Sequence, residues 1–212
     1  MSFDYKKEYK ELYMPKSKPS IVNVPKIQYV AVRGSGDPNE ETGEYANAVS
    51  ILYGISYTIK MSYKGAKQIE GFFEYVVPPL EGLWWMGDGT KGVDYNNKSG
   101  FHWISMIRVP EFVTSDILEW AKTEIEKKKK IDTSKAELLE MEEGLCVQCL
   151  HIGSYDDEPV TVALMDEFIK NAGYINDINN ERSHHEIYLS DPRKVSTEKL
   201  KTIIRHPIKK LD

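Results

Sequence analysis

Short runs of apolar, β-branched and aromatic residues recur along the chain between glycine-, proline- and asparagine-containing turns, and such runs predict β-strands. In the first half, such runs predict strands at 20–33, 71–77 and 101–109. Apolar residues repeat at three- and four-residue steps from Tyr45 to Ile59, which predicts a helix over about 40–61. A second helix is predicted over about 114–130, because a Thr-Ser pair at its start suits an N-terminal cap.

The second half of the chain repeats this order of elements. Strands are predicted at 136–141 and 144–152, and a helix is predicted over about 160–171. Two further strands are predicted at 184–189 and 201–208. The two halves share the pattern β-α-β-β, although no repeat of residue types is visible.

This order of elements predicts an α+β fold made of a duplicated β-α-β-β module. We expect the helices on one side of an antiparallel sheet, with a ligand cleft between the two halves. Residues 1–19 are predicted to form an N-terminal leader of undefined order. Residues 20–208 are predicted to form one domain, with halves at about 20–130 and 135–208.

Composition and charge limit the classes of function that are expected of this protein. The 212-residue chain has a net charge of −5, which argues against direct binding of nucleic acid, since that needs a basic face. Its two cysteines lie in a predicted strand and suggest buried structural thiols, hence a cytoplasmic protein. No apolar run approaches the ~20 residues of a membrane span, so no membrane association is expected.

The stretch His184-His185-Glu186-Ile187-Tyr188-Leu189 carries the main candidate chemistry. Side chains alternate along a strand, so Glu186 and Tyr188 share one face while Ile187 and Leu189 share the other. If the first face is solvated, Glu186 is an ordinary surface acid. If it faces an aromatic groove, Glu186 is a partly desolvated carboxylate that could act as a base, an acid or a cation receptor.

Aromatic residues supply candidate walls for such a groove. Trp84, Trp85 and Trp103 are predicted to hold a flat ligand, although Trp103 could equally be core. Met106 lies on the strand face opposite Trp103, and which face lines the cleft stays open. The remaining candidates are Tyr53 and Tyr57, one helical turn apart, and Tyr155.

Other chemistries have no pattern in the sequence. The five histidines and the acids show no spacing typical of a metal site, and adjacent His184 and His185 must point to opposite faces of a strand. No phosphate-binding glycine loop or serine nucleophile motif is present. We therefore expect neither metal nor cofactor.

Three stretches of the sequence, taken in order, form a recognisable set: 79–85 (PLEGLWW), 151–159 (HIGSYDDEP) and 186–189 (EIYL). Together they resemble the GyrI-like small-molecule-binding family, which also supplies the effector-binding half of multidrug-sensing transcription activators. The resemblance covers about 20–208 and implies a duplicated β-α-β-β fold with a cleft between the halves. Only about twenty residues precede the first strand, so no DNA-binding helix-turn-helix module is expected there.

The resemblance also implies an activity. Stand-alone members similar to this chain resemble hydrolases that open the cyclopropane ring of DNA-alkylating natural products, and the matching glutamate is Glu186. On this hypothesis Glu186 is the general base toward water, and Tyr188, Tyr75 or Tyr155 stabilises the developing oxyanion. The alternative is a binding module that sequesters flat, lipophilic or cationic toxins. Protection of DNA gyrase is a further family role that no residue of this sequence supports.

Overall fold

The computed structural model describes residues 2–90 and 92–211. Within them the helices are α1 (Tyr5–Glu8), α2 (Lys10–Tyr13), α3 (Glu44–Lys60), α4 (Ser115–Lys129) and α5 (Glu158–Asn171). The strands are β1 (Ser20–Ser35), β2 (Leu80–Met86), β3 (Phe101–Arg108), β4 (Ala136–Ile152), β5 (Tyr174–Asn176), β6 (His184–Tyr188) and β7 (Lys201–Lys210). Across the described residues, no helix is long and apolar enough to cross a membrane.

Six strands close into an antiparallel ring in the order β4-β1-β3-β2-β6-β7, because β4 also pairs with β7. Closure leaves these six strands without a free edge. Each half contributes three neighbouring strands, and its third strand lies in the middle. The halves meet along two seams, β1 with β4 and β2 with β6. The predicted duplicated α+β module is confirmed.

Three helices cover the outside of the ring. Helices α3 and α4 pack over the first half, and α5 packs over the second. The apolar stripe of α3 is buried, and Gly54 in that stripe faces Ile125 of α4. A Cβ atom at Gly54 would lie 3.4 Å from Ile125 Cδ1, an ordinary van der Waals distance, so an alanine would also fit between the two helices.

A charged cluster lies inside the ring. Arg205 Nη1 donates a hydrogen bond of 3.0 Å to Glu143, and His185 Nδ1 lies 2.9 Å from the other oxygen of Glu143. His185 Nε2 also approaches Glu81 at 3.0 Å. Burial alone would favour neutral groups, but the opposite charges prevail. They lower the pKa of Glu143 to about 2 and raise that of His185 to about 9.

The N-terminal segment packs against this interior. Tyr5, Leu12 and Tyr13 are buried. Tyr13 donates a hydrogen bond to Glu81, and Arg205 donates one of 2.8 Å to the carbonyl oxygen of Leu12. These contacts fix residues of α1 and α2 on the strands. The N-terminal segment, for which the sequence predicted no defined order, is therefore held in place by buried hydrogen bonds.

The predicted strand at 71–77 is wrong. In that stretch Tyr75 makes only an isolated bridge to Phe3, and the strand of the sheet is β2. Because β2 is paired on both sides and buried along its length, its sequence shows no alternation of polar and apolar residues. The two strands predicted on either side of Gly144 form one continuous strand, β4, and the three-residue β5 was not predicted.

Candidate functional site

The outer face of the β2–β6 seam forms the floor of a cavity between the two halves. Gly82 of β2 pairs with Glu186 of β6. A Cβ atom at Gly82 would lie 2.6 Å from Trp84 Nε1 and 3.1 Å from the Tyr188 hydroxyl. The missing side chain therefore makes room for Trp84 and Tyr188 to meet beside Glu186.

Both carboxylate oxygens of Glu186 are hydrogen-bonded. Tyr188 donates its hydroxyl to Oε2 at 2.8 Å, and His184 Nε2 lies 2.9 Å from Oε1. All three residues point to the same face because they are two positions apart on β6. Glu186 keeps 8 % of its surface exposed toward the cavity. The arrangement holds an acceptor-only carboxylate in a fixed orientation at the cavity wall.

Aromatic side chains surround this carboxylate. Trp84 Nε1 donates a hydrogen bond of 2.9 Å to the Tyr188 hydroxyl, and Tyr45 packs against Trp84. Tyr155 contacts Tyr188 edge to face, with ring centroids 5.9 Å apart. Burial and the nearby charge of Glu186 raise the pKa of Tyr188 well above its ordinary value, so its phenol stays protonated at neutral pH.

A second carboxyl group, Glu158 at the start of α5, lies beside the first. It is fully buried, and the Tyr95 hydroxyl donates a hydrogen bond of 2.9 Å to its Oε2. Its Oε1 has no hydrogen-bond partner among the described residues. Burial, and then the charge of Glu186, raise the pKa of Glu158 well above the usual value. The buried position and the neighbouring carboxyl group thus both favour the protonated form of Glu158.

A line of polar side chains continues behind His184. His184 Nδ1 lies 2.7 Å from His206 Nε2, and His206 Nδ1 lies 3.3 Å from the amide nitrogen of Asn176. Burial, and then repulsion from His184, lower the pKa of His206 well below its ordinary value. These contacts connect β5 and β7 to the carboxylate on β6.

The cavity has a volume of about 1620 Å³ and extends from Glu186 along α3. Elements of both halves line it, as the duplicated fold predicts. Its aromatic lining residues are Tyr45, Tyr53, Tyr57, Trp84, Tyr95, Phe101, Trp120, Tyr155 and Tyr188. A space of this size and lining suits a large, flat organic molecule.

The structure brings together six of the ten residues singled out in the sequence. Those that line the cavity are Glu186, Tyr188, Trp84, Tyr53, Tyr57 and Tyr155. Of these, Glu186, Tyr188, Trp84 and Tyr155 form one contacting group, whereas Tyr53 and Tyr57 lie farther along α3.

Four predicted residues lie elsewhere. Trp85 and Met106 point from their strands into the inner cluster, opposite the cavity. Tyr75 also packs there, against Phe112, so it is not placed to assist Glu186. Trp103 is fully buried beneath Tyr45, edge to face at 5.2 Å, and is a core residue. Trp85 and Met106 lie away from the cavity because they point to the strand face opposite it, a choice that the sequence could not make. Tyr75 lies away from it because its segment is not a strand of the sheet.

The sequence analysis missed Glu158, His184, His206 and Tyr95 as parts of the site. His184 has a signal in hindsight, because it shares strand parity with Glu186. Glu158 has no such signal, because an acidic residue at the start of a helix is common for the favourable charge there. Its approach to Glu186 depends on how α5 packs over β6.

Glu158, His184 and Glu186 each place one potential metal-ligand atom within 4.8 Å of the others. The sequence showed no metal-site spacing because Glu158 lies on α5, 26 positions before His184 on β6. The set could hold a divalent cation only if His184 Nε2 offered a lone pair. In this structure that nitrogen lies at hydrogen-bond distance from Glu186.

The fold and the site can now be compared with known proteins. Residues 17–209 match the family described as the GyrI-like small molecule binding domain. The chain belongs to this family. A search of the curated proteins gave no match.

Two solved structures from Listeria innocua are closely similar to this chain, and a third, more distant structure shares its fold. A hydrolase from Listeria innocua is 45 % identical, with a TM-score of 0.89 over 98 % of this chain and 100 % of that one. An uncharacterized conserved protein from the same organism is 46 % identical, with a TM-score of 0.92 at the same coverage. The EcmrR C-terminal domain, 12 % identical with a TM-score of 0.52 over 91 % of this chain and 98 % of that one, shares the fold alone.

Proposed function

We propose that this GyrI-like protein is a hydrolase that opens the cyclopropane ring of flat, DNA-alkylating natural products. One observation carries the proposal: the Glu186 carboxylate is held by two neighbours at the wall of a large aromatic cavity. The chain's 45 % identity to a protein named as a hydrolase supports hydrolysis as the reaction type.

Glu186 is the general base in this proposal. A water molecule beside the carboxylate attacks the ring CH₂ and gives its proton to Glu186 as the new C–O bond forms. The strained C–C bond breaks, and its electron pair moves into the conjugated carbonyl to leave an enolate or phenolate oxygen. That oxygen is then protonated, so the reaction consumes one water and needs no oxidant or reductant.

The developing oxyanion needs a hydrogen-bond donor. Tyr188 already donates its hydroxyl to Glu186, and Tyr75 lies in the inner cluster. Tyr155 lines the cavity beside Tyr188, and burial raises its pKa to about 12, so it keeps its proton at neutral pH. We therefore assign the donor role to Tyr155.

A second candidate function is the sequestration of lipophilic cations. Glu186 among Trp84, Tyr45 and Tyr155 combines a negative charge with aromatic faces, which together attract organic cations. A sequestering protein would bind one equivalent and stop, whereas an enzyme turns over.

The distinguishing experiment follows the absorbance of a spiro-cyclopropane alkylator supplied in large excess over the protein. Consumption of many equivalents, with a ring-opened hydrated product identified by mass spectrometry, supports the hydrolase. A signal that stops at one equivalent, with intact ligand recovered after denaturation, contradicts it and favours sequestration.

A further inference from the structure

The order of hydrogen-bond donors from Asn176 to Glu186 determines which nitrogen of each histidine carries a proton. We propose that Asn176, on the short strand β5, is a positioning residue that fixes the tautomers of His206 and His184 and so directs an N–H group at Glu186.

The argument starts at Asn176. Its side-chain Oδ1 accepts a hydrogen bond of 2.9 Å from the backbone N–H of Ile178. A flipped amide would place two donors against each other at that contact. The NH₂ group must therefore face His206 Nδ1, at 3.3 Å, where it can only donate.

The next two links follow from this constraint. His206 Nδ1 accepts a proton from Asn176, so the ring proton of His206 lies on Nε2. That N–H donates to His184 Nδ1 over 2.7 Å, which leaves the His184 proton on Nε2. His184 Nε2–H then donates to Glu186 Oε1 over 2.9 Å. Every donor in the chain points toward the carboxylate.

The same order decides between two uses of the Glu158–His184–Glu186 group. A metal ion would need the lone pair of His184 Nε2, and the His184 proton would then have to lie on Nδ1. This would reverse the direction of the hydrogen bonds between His184, His206 and Asn176. The reversed chain would direct an N–H of His206 at the NH₂ group of Asn176. The tautomers set by Asn176 therefore keep the group as a hydrogen-bonded support for Glu186.

The inference rests on the proposed function only where it concerns turnover, because the tautomers themselves are independent of any reaction. The direct test is ¹⁵N NMR of the histidine rings in the full-length protein near neutral pH, since protonated and unprotonated ring nitrogens differ in chemical shift. His184 and His206 are both expected to be protonated at Nε2 and unprotonated at Nδ1. A proton on Nδ1 of either ring would overturn the proposal.

Asn176→Asp supplies the matched perturbation. The new carboxylate can accept the Ile178 N–H with one oxygen and an N–H from His206 Nδ1 with the other. The direction of the hydrogen bonds from His184 to residue 176 is therefore expected to reverse. Asn179→Asp is the control, because Asn179 Oδ1 caps the backbone N–H of Glu181 in the same loop and the charge change is identical. We expect the NMR pattern to change in Asn176→Asp alone.

Turnover adds a second readout. Loss of the N–H bond to Glu186 is expected to lower kcat by about 10- to 100-fold in Asn176→Asp with KM little changed, and to spare Asn179→Asp. An unchanged NMR pattern in Asn176→Asp would contradict the positioning role. If the wild type shows the expected tautomers but never turns over a cyclopropane, the proposed function fails while the tautomer assignment stands.

Discussion

Tyr188 donates its hydroxyl to Glu186 Oε2 over 2.8 Å, from a position two residues farther along the same strand. The same hydroxyl accepts a hydrogen bond from Trp84 Nε1 across the β2–β6 seam. The carboxylate at the center of the site is thereby tied to both halves of the duplicated fold.

Tyr188→Phe removes the hydroxyl that makes both hydrogen bonds and keeps the aromatic side chain. Hydrogen bonds to charged groups contribute about 1.5–3 kcal/mol, so we expect kcat to fall by about 10- to 100-fold. Tyr63→Phe, at an exposed residue just beyond α3, is the matched control in the same turnover assay. Equal activity of the two variants would show that orientation of Glu186 by Tyr188 is unimportant.

The adjacent residues Trp84 and Trp85 provide a test of which strand face binds the ligand. Trp84 lines the cavity, whereas Trp85 packs in the inner cluster. Trp84→Phe is expected to raise the Kd of a flat aromatic ligand by about 2- to 10-fold, through loss of ring contact and of the bond to Tyr188. Trp85→Phe should leave the Kd unchanged, as measured by calorimetry. A larger increase in Kd for Trp85→Phe than for Trp84→Phe would show that the ligand binds on the inner face of the strands.

Glu158→Gln should make the protein more stable at neutral pH. Because the folded-state pKa of Glu158 is raised, the folded protein keeps a proton that the unfolded chain releases above about pH 4.5. The free energy of unfolding of the wild type therefore falls as pH rises from that value toward the raised pKa. The amide cannot ionise, so the variant lacks this loss.

Urea denaturation at about pH 4.5 and about pH 7.5 measures the effect. The stability advantage of Glu158→Gln is expected to grow with pH, while Glu167→Gln, at an exposed position on the same helix, should show no such trend. A pH-independent difference between wild type and Glu158→Gln would mean that Glu158 is ionised in the folded protein.

The two partners of the ion pair inside the six-strand ring, His185 and Glu143, contribute to stability over different pH ranges. The raised pKa of His185 means that its contribution to stability is complete below about pH 6.5 and is lost as the pH rises toward 9. The lowered pKa of Glu143 gives a contribution that is present above about pH 4.5 and is lost toward pH 2.

His185→Gln tests this cluster. Removing one partner of a buried ion pair typically costs about 3–5 kcal/mol, and we expect that loss at about pH 6, shrinking above pH 9. Chemical denaturation across this range gives the answer, with exposed His102→Gln as the control. A small and constant loss would show that His185 is neutral inside the ring.

The sequence predicted the parts of this structure that depend on local periodicity. The duplicated β-α-β-β order was visible in the runs of apolar residues, and Glu186 and Tyr188 were paired by strand parity alone. Strand β2 was misplaced because a strand buried on both faces lacks alternation. Glu158 and His206 escaped because only the packing of α5 and β7 brings them to β6.

The orientation of the aromatic residues also depends on tertiary packing rather than on local sequence. Adjacent Trp84 and Trp85 must point to opposite faces, but nothing local says which face borders the cavity. That choice is made by the helices, which cover the outside of the ring, and by the N-terminal segment, which covers the inside. Tertiary packing thus selects the cavity-facing residues from a set that the sequence could only propose.

The most direct test of the account compares wild type with Glu186→Gln, measuring both kcat with excess spiro-cyclopropane substrate and the Kd of a flat, unreactive analogue. A general base contributes about 10²- to 10⁴-fold, so turnover should fall at least about 100-fold while the Kd changes only slightly. Full turnover by Glu186→Gln would contradict the central role of Glu186.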